Sequence, residues 1–229
     1  MIDTPPIFQG LPVRGLFATR SMAASDESLQ ETIRDLGMQS RPLYLPVQKH
    51  TDEVIIVDNN NSEPRIGDAV ITSRTDLLIG VRVADCVPLL LFDRKRRVIG
   101  AVHAGWRGTA AGILTKTIAA MEAGFLSSPG DLLVAVGPAI RWCCYGVGSE
   151  VAEAVEKATG KGEYLRMQGD AYCLDLPAAN RQQALSAGVP EGNIWLSPEC
   201  TSCLPEKYFS YRFSRGGTGR QYGLIGMIP

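Results

Sequence analysis

The sequence predicts a mixed α/β fold, and three observations lead there. Short runs of β-branched and aliphatic residues alternate with a few stretches of helical periodicity. Gly (24) and Pro (14) are frequent enough to punctuate many tight turns. No internal repeat, low-complexity tract or Pro/Ser-rich linker divides the 229 residues, so residues 1–229 are read as one domain of mixed sheets and flanking helices.

The elements follow in order. Val13 to Thr19 reads as a first strand after Pro12. Asp26 caps a helix with Leu29, Ile33 and Leu36 on one face and Gly37 as its stop. Leu43 to Val47 and Glu53 to Val57 read as strands around a kink at Gln48-Lys49-His50, followed by a polar turn region from Asp58 to Arg65. Ala69 to Thr72, Leu78 to Val83, Val87 to Phe92 and Val98 to His103 have strand length and composition, the last two joined by the charged turn Asp93-Arg94-Lys95-Arg96. A helix from about Thr109 to Met121 carries Ile113, Leu114, Ile118 and Met121 as its apolar stripe. Leu132 to Val136 is a strand. Ser149 to Thr159 and Leu176 to Ala187 are helical, the second ending at Gly188. Ile194 to Leu196, Tyr208 to Phe213 and Tyr222 to Ile228 close the chain as strands.

Charge excludes several function classes. Lys and Arg number 23 against 24 Asp and Glu, a net charge of −1, which gives no electrostatic reason to bind nucleic acid or an anionic membrane. The N-terminus lacks a basic segment followed by an apolar one, and the longest apolar run, Val87 to Phe92, is far below the roughly 20 residues of a membrane helix. The six cysteines have no disulfide-framework spacing, so reduced thiols in a cytoplasmic protein are expected. The sequon Asn60-Asn61-Ser62 then has no meaning. No heptad pattern or long exposed apolar stripe supports an assembly module.

Chemistry concentrates at three places. The only two histidines, His50 and His103, each end an inferred strand. His103 opens His103-Ala104-Gly105-Trp106-Arg107-Gly108, a Gly-rich turn before a helix that would point N–H groups at an anion or polar ligand. Cys86 lies in Ala84-Asp85-Cys86-Val87-Pro88, where Pro88 removes a ladder donor and reads as a break or bulge that exposes the thiol. The separations are too long for a local zinc pattern, and a buried thiol with two core histidines is the commoner use of such residues. Their shared position at strand ends beside broken turns favours a site.

These blocks, with Gln48-Lys49-His50, Gly137-Pro138-Ala139-Ile140, Cys143-Cys144-Tyr145, Phe209-Ser210-Tyr211-Arg212 and Thr218-Gly219-Arg220, stand in the order of a known family. The sequence resembles the bacterial laccase-domain family, described as polyphenol oxidases, purine nucleoside phosphorylases and peptidoglycan editing factors, over nearly its whole length. The resemblance implies a four-layer α/β/β/α fold similar to cysteine hydrolases. It implies that His50, Cys86 and His103 bind a metal, usually zinc with copper as the alternative. It also implies phosphorolysis of purine nucleosides and methylthioadenosine, and deamination of adenosine, in one site. One departure is that Ala18-Thr19-Arg20 is followed by Ser21-Met22-Ala23-Ala24, where the family has Gly-Gly-Val-Ser and then an Asn-Leu-Gly element.

Two imidazoles and a thiolate would leave zinc an open fourth position. Asp85 is the nearest carboxylate in sequence for proton transfer to a purine C6; in a regular strand it would face away from Cys86. Arg20, Arg107 and the Gly105–Gly108 turn are candidates to hold phosphate, with Gln48, Trp106 and Tyr145 on the substrate side. Arg212, Arg215 and Arg220 bracket Gly216-Gly217-Thr218-Gly219, readable as an anion nest or a hairpin turn. The expected partners are a purine nucleoside and phosphate, with the chain a monomer.

Three rivals compete. Cys86 could be the nucleophile of a Cys–His hydrolase with His103 as its base, acting on a small amide or a peptidoglycan precursor. Copper-dependent phenol oxidation is disfavoured, because two histidines cannot build a multicopper centre. Cys200-Thr201-Ser202-Cys203 with Cys143-Cys144 could form a structural four-thiolate zinc site, although adjacent cysteines rarely both reach one tetrahedral ion. The nucleobase-deaminase signature is absent, since Pro198-Glu199-Cys200 has no accompanying His-x-Glu.

Overall fold

The computed structural model describes residues 4–58 and 63–228. The sequon Asn60-Asn61-Ser62 and the middle of the polar turn region expected from Asp58 to Arg65 lie outside the described residues, as do the first three residues of the chain. In chain order the elements are β1 (Val13–Phe17), α1 (Asp26–Asp35), β2 (Leu43–Tyr44), β3 (Val54–Ile56), β4 (Ala69–Thr72), β5 (Leu78–Val83) and β6 (Val87–Asp93). Then come β7 (Val98–Ala104), α2 (Trp106–Ala110), α3 (Ile113–Phe125), β8 (Leu132–Val136), β9 (Gly146–Val147) and α4 (Ser149–Thr159). The chain closes with β10 (Leu165–Gln168), β11 (Ala171–Leu174), α5 (Leu176–Ser186), β12 (Ile194–Leu196) and β13 (Gln221–Met227).

These strands build a mixed six-stranded sheet in the order β12-β8-β6-β7-β4-β3 and a mixed four-stranded sheet in the order β1-β13-β5-β2. A small antiparallel sheet, β10-β11-β9, stands apart from both. Alternation of side chains along the strands explains how the core divides. Val87, Leu89 and Leu91 of β6 face Ile113, Leu114 and Ile118 of α3 together with residues of α4 and α5. Leu90 and Phe92 face the other way, into a cluster with Val13, Phe17, Ile79, Val81 and Ile225 of the four-stranded sheet. The outer face of that sheet, through Leu16, Leu78 and Leu224, packs on Leu29 and Ile33 of α1 and on Leu36, its C-cap. Because β6 is buried on both faces, a one-residue slip would move every one of its side chains to the wrong layer. Burial of each large aliphatic chain stabilises the fold by about 1.5–3 kcal/mol, so its register is firmly set.

Several expectations need correction. The helix expected at 109–121 is two helices: Gly112, at φ +72°, breaks the chain between α2 and α3, a left-handed conformation that glycine adopts without strain. Helix α1 is capped by Ser25 rather than Asp26. Ser25 accepts from the Ser28 N–H (3.3 Å) and the Ser28 hydroxyl accepts from the Ser25 N–H (2.9 Å). No strand forms at 208–213. There the backbone is pinned by side chains: Gln221 accepts from the Phe209 N–H at 2.8 Å and donates to its carbonyl at 3.2 Å, while the Arg212 N–H goes to Asp85. The β10–β11 hairpin, turning at Gly169-Asp170, was not anticipated.

Pro88 does not break β6. It sits in register with His103, whose N–H turns the other way to the Asp68 carbonyl at 2.7 Å, so the absent proline donor leaves that ladder intact. The break lies just upstream, where Asp85 has φ +82°. Asp85 and Cys86 are therefore not successive residues of a regular strand, and the opposite-face argument does not apply to them.

Candidate metal centre

The end of β7 and the approach to β6 are neighbours, since Val87 pairs with Ala104. This register sets Cys86 beside Gly105. A Cβ at Gly105 would lie 3.0 Å from Cys86 Sγ and 3.1 Å from His50 Cδ2, so only glycine lets the backbone approach both side chains this closely. The possible ligand atoms of His50, Cys86 and His103 all lie within 4.8 Å of one another, with Cys86 Sγ 3.8 Å from His50 Nε2. The two imidazoles meet edge to face, 4.8 Å between centroids.

Asp68, fully buried at the start of β4, organises this triad. Its Oδ1 accepts from His103 Nδ1 at 2.7 Å and from the His50 N–H at 3.1 Å. Its Oδ2 accepts from the Thr51 N–H (2.6 Å), the Thr51 hydroxyl (2.7 Å) and the Lys49 N–H (3.2 Å). One carboxylate thus fixes the 49–51 loop, holds His50 at φ +59°, and orients the His103 ring with Nε2 directed away from Asp68. Burial would raise the Asp68 carboxyl, but the hydrogen bonds from His103 and Thr51 outweigh it and hold it well below the ordinary carboxylate range.

The same competition polarises Cys86 and His103. Burial opposes charge on both, yet their mutual attraction and the hydrogen bonds around them prevail. The thiol is brought down to about 6 and the imidazole raised to about 9. An electron-rich sulfur and two ring nitrogens form the N/S donor set that zinc prefers. Two ligands of a tetrahedral zinc stand about 3.3–3.6 Å apart by Zn–N and Zn–S bond lengths. Closing the His50–Cys86 separation to that value takes only a few tenths of an ångström. The residues present fit a metal ion.

The triad opens into a cleft of about 810 Å³ whose walls include Gln48, Arg82, Asp85, Trp106, Tyr145, Tyr211, Arg212 and Arg220. Among the expected residues, His50, Cys86, His103, Asp85, Gln48, Trp106 and Tyr145 converge here. Gln48 pairs through its amide with the Arg82 backbone, both bonds at 2.8 Å, and so fastens the 48–50 kink to β5. Asp85 accepts from the Thr201 hydroxyl at 2.6 Å and from the Arg212 N–H at 2.7 Å, so it also holds the cleft wall. Burial, and next the charge of Cys86, raise the Tyr145 phenol to about 12 and keep it a neutral donor.

Arg20 and Arg107 lie outside the lining. Arg20 donates to the Pro205 carbonyl at 2.7 Å and lies over the Phe209 ring; Arg107 is exposed and lies over Trp106. The cationic part of the cleft comes instead from Arg82, Arg212 and Arg220. Arg82 was missed, although a lone charge inside the apolar run Leu78-Ile79-Gly80-Val81-Arg82-Val83 was a readable sign. Asp68 and Tyr211 were missed as functional residues. A single Asp before a strand carries no spacing signature at all.

Comparison with known proteins places the chain in a family. The family of multi-copper polyphenol oxidoreductase laccases matches residues 20–228. The chain is 38% identical over 162 residues to purine nucleoside phosphorylase YlmD of Geobacillus stearothermophilus, covering 69% of this chain and 59% of that protein. It is 39% identical over 196 residues to a purine nucleoside phosphorylase of Clostridium acetobutylicum (84% and 77% covered), and 33% identical over 200 residues to adenosine deaminase RL5 of an unknown prokaryotic organism (82% and 76%). The crystal structure of YlmD superposes with a TM-score of 0.89 at 28% identity, over 98% of this chain and 94% of that one. No described helix is long and apolar enough to cross a membrane. The chain belongs to the multi-copper polyphenol oxidoreductase laccase family.

Proposed function

We propose that the chain is a zinc-dependent purine nucleoside phosphorylase that also deaminates adenosine and accepts methylthioadenosine. One observation carries the reading: His50, Cys86 and His103 converge, with Asp68 behind them, at the floor of a cleft lined by aromatic and cationic side chains. The names of the relatives supply the substrate class. The three layers of contact described above support the α/β/β/α stacking that the sequence resemblance implies.

A zinc ion held by His50, Cys86 and His103 would supply Lewis acidity at an open fourth position, toward water or the purine. The protein does the rest. Trp106, Tyr145 and Tyr211 line the cleft and supply the aromatic surface against which a purine packs. Arg82, Arg212 and Arg220 bind phosphate and set it against the ribose carbon. Asp85 is the carboxylate in the cleft. Each of its oxygens, though engaged once, keeps a second lone pair with which to take up or return a proton.

Incubation of metal-loaded protein with adenosine and phosphate should give adenine and ribose 1-phosphate, and omission of phosphate should give inosine. Absence of both products by chromatography overturns the reading. The polarised Cys86–His103 pair favours one alternative, a Cys–His hydrolase. That reading requires activity in excess chelator, with Cys86 covalently trapped by an electrophilic substrate analogue. Copper chemistry at this triad would be limited to one ion, because the chain has only two histidines.

A further inference from the structure

Outside the cleft, four of the six cysteines meet in one place. The sulfurs of Cys143, Cys144, Cys200 and Cys203 all lie within 4.8 Å of one another, with Cys143–Cys203 at 3.6 Å and Cys144–Cys203 at 3.3 Å. They come from two tight turns far apart in sequence. One is closed by the Cys144 N–H on the Arg141 carbonyl (2.9 Å), the other by the Cys203 N–H on the Cys200 carbonyl (3.2 Å). A parallel bridge between Ala139 and Cys200, with the Thr201 N–H on the Ala139 carbonyl at 3.1 Å, lays the turns side by side.

We propose that Cys143, Cys144, Cys200 and Cys203 form a second metal site, a structural four-thiolate zinc centre separate from the triad in the cleft. The spacing fits this chemistry. Tetrahedral zinc with Zn–S bonds of about 2.3 Å holds its sulfurs about 3.8 Å apart, close to the two distances at Cys203 and inside the 4.8 Å that bounds the cluster. A disulfide needs about 2.05 Å. A cubane iron–sulfur cluster puts each cysteine on a different iron and spreads the sulfurs well beyond 4.8 Å. The surroundings also suit thiolates: the Arg141 N–H donates to Cys200 Sγ at 3.4 Å, and the donor set is entirely sulfur. The adjacency of Cys143 and Cys144, which argued against a shared ion, is overcome because they lie in a tight turn that brings both sulfurs near Cys203.

The centre fastens two walls of the cleft to each other. Ile140 and Tyr145, which line the cleft, flank the Cys143-Cys144 turn. Thr201, inside the other turn, donates to Asp85. Arg141 continues the brace, pairing with Asp175 at 2.8 Å and with the Ser197 carbonyl at 3.0 Å.

Two measurements on the full chain, purified under reducing conditions, test the site. Elemental analysis of zinc-replete wild type should give about two zinc ions per chain, falling to about one in C86A and, independently, to about one in the C143S/C203S double variant. Peptide mapping after brief iodoacetamide treatment of the native wild type should find the exposed Cys143 and Cys203 protected until excess chelator is added. The mapping needs no variant to fold. Rapid alkylation of both without chelator, disulfides among the four cysteines in the reduced preparation, or at most one zinc in wild type that C86A removes would each overturn the proposal. Because C86A reads the cleft and C143S/C203S the second centre, failure here is distinguishable from failure of the proposed function.

Discussion

Among the described residues two clusters of side chains could hold a metal ion, and they differ in almost every physical respect. The cleft triad mixes two imidazoles with one sulfur, leaves a side open, and is ordered from behind by the carboxylate of Asp68. The four-cysteine cluster is all sulfur, contains as many donors as a tetrahedral ion needs, and rests on backbone turns. An incomplete ligand set backed by a carboxylate suits chemistry; a complete one joining two turns suits bracing. Strain follows the same division: His50 and Asp85 have left-handed backbones beside the cleft.

Substitutions should separate the two regions. Cys86→Ala or His103→Ala should lower kcat/KM for phosphorolysis by about a thousandfold or more, because both the metal and the polarised sulfur are lost. Steady-state kinetics with adenosine and phosphate checks this, and retention of a tenth of the activity would contradict it. Asp68→Asn keeps the shape but removes the acceptor for several donors. It should weaken zinc binding in the cleft by about 10–100-fold, measured by competition with a chromophoric chelator. The second centre should keep its ion, so one zinc per chain should survive mild chelation in this variant.

Arg82→Met and Arg220→Met should each raise KM for phosphate by about tenfold while leaving phosphate-independent deamination within about twofold. Equal losses in both reactions would mean that these arginines act on the nucleoside instead. The smallest effect belongs to Gly105→Ala. Its new methyl, crowding Cys86 and His50, should reduce zinc affinity several-fold and thermal stability by about 1–2 kcal/mol, read by calorimetry with and without zinc.

The sequence shows these two regions unequally. His50, Cys86 and His103 stand out because histidine is scarce and all three lie beside broken turns, but it is the family resemblance, not their spacing, that implies a shared metal. Strands β4 and β6 to β8 are legible in the sequence: burial at every position leaves largely apolar runs. The four-cysteine cluster is different. Cys143 and Cys144 lie 60 and 59 residues from Cys203, joined to it only by tertiary pairing, and no local pattern encodes that. Asp68 is hidden for the same reason, since its partners lie 17–35 residues away. At Tyr208–Phe213 the pattern misleads: Tyr208 and Ser210 are buried in alternation, as in a strand, but Gln221 and Asp85 side chains take the backbone bonds a neighbouring strand would make. Gly112, by contrast, was readable as a helix break and was passed over because the apolar stripe continues beyond it.

The most direct test is anomalous diffraction at the zinc edge from crystals of the zinc-loaded protein. The account requires a peak in the cleft about 2.0–2.3 Å from Nε2 of His50, Nε2 of His103 and Sγ of Cys86. Strong density elsewhere in the same crystals, with nothing bound between those three atoms, would contradict it.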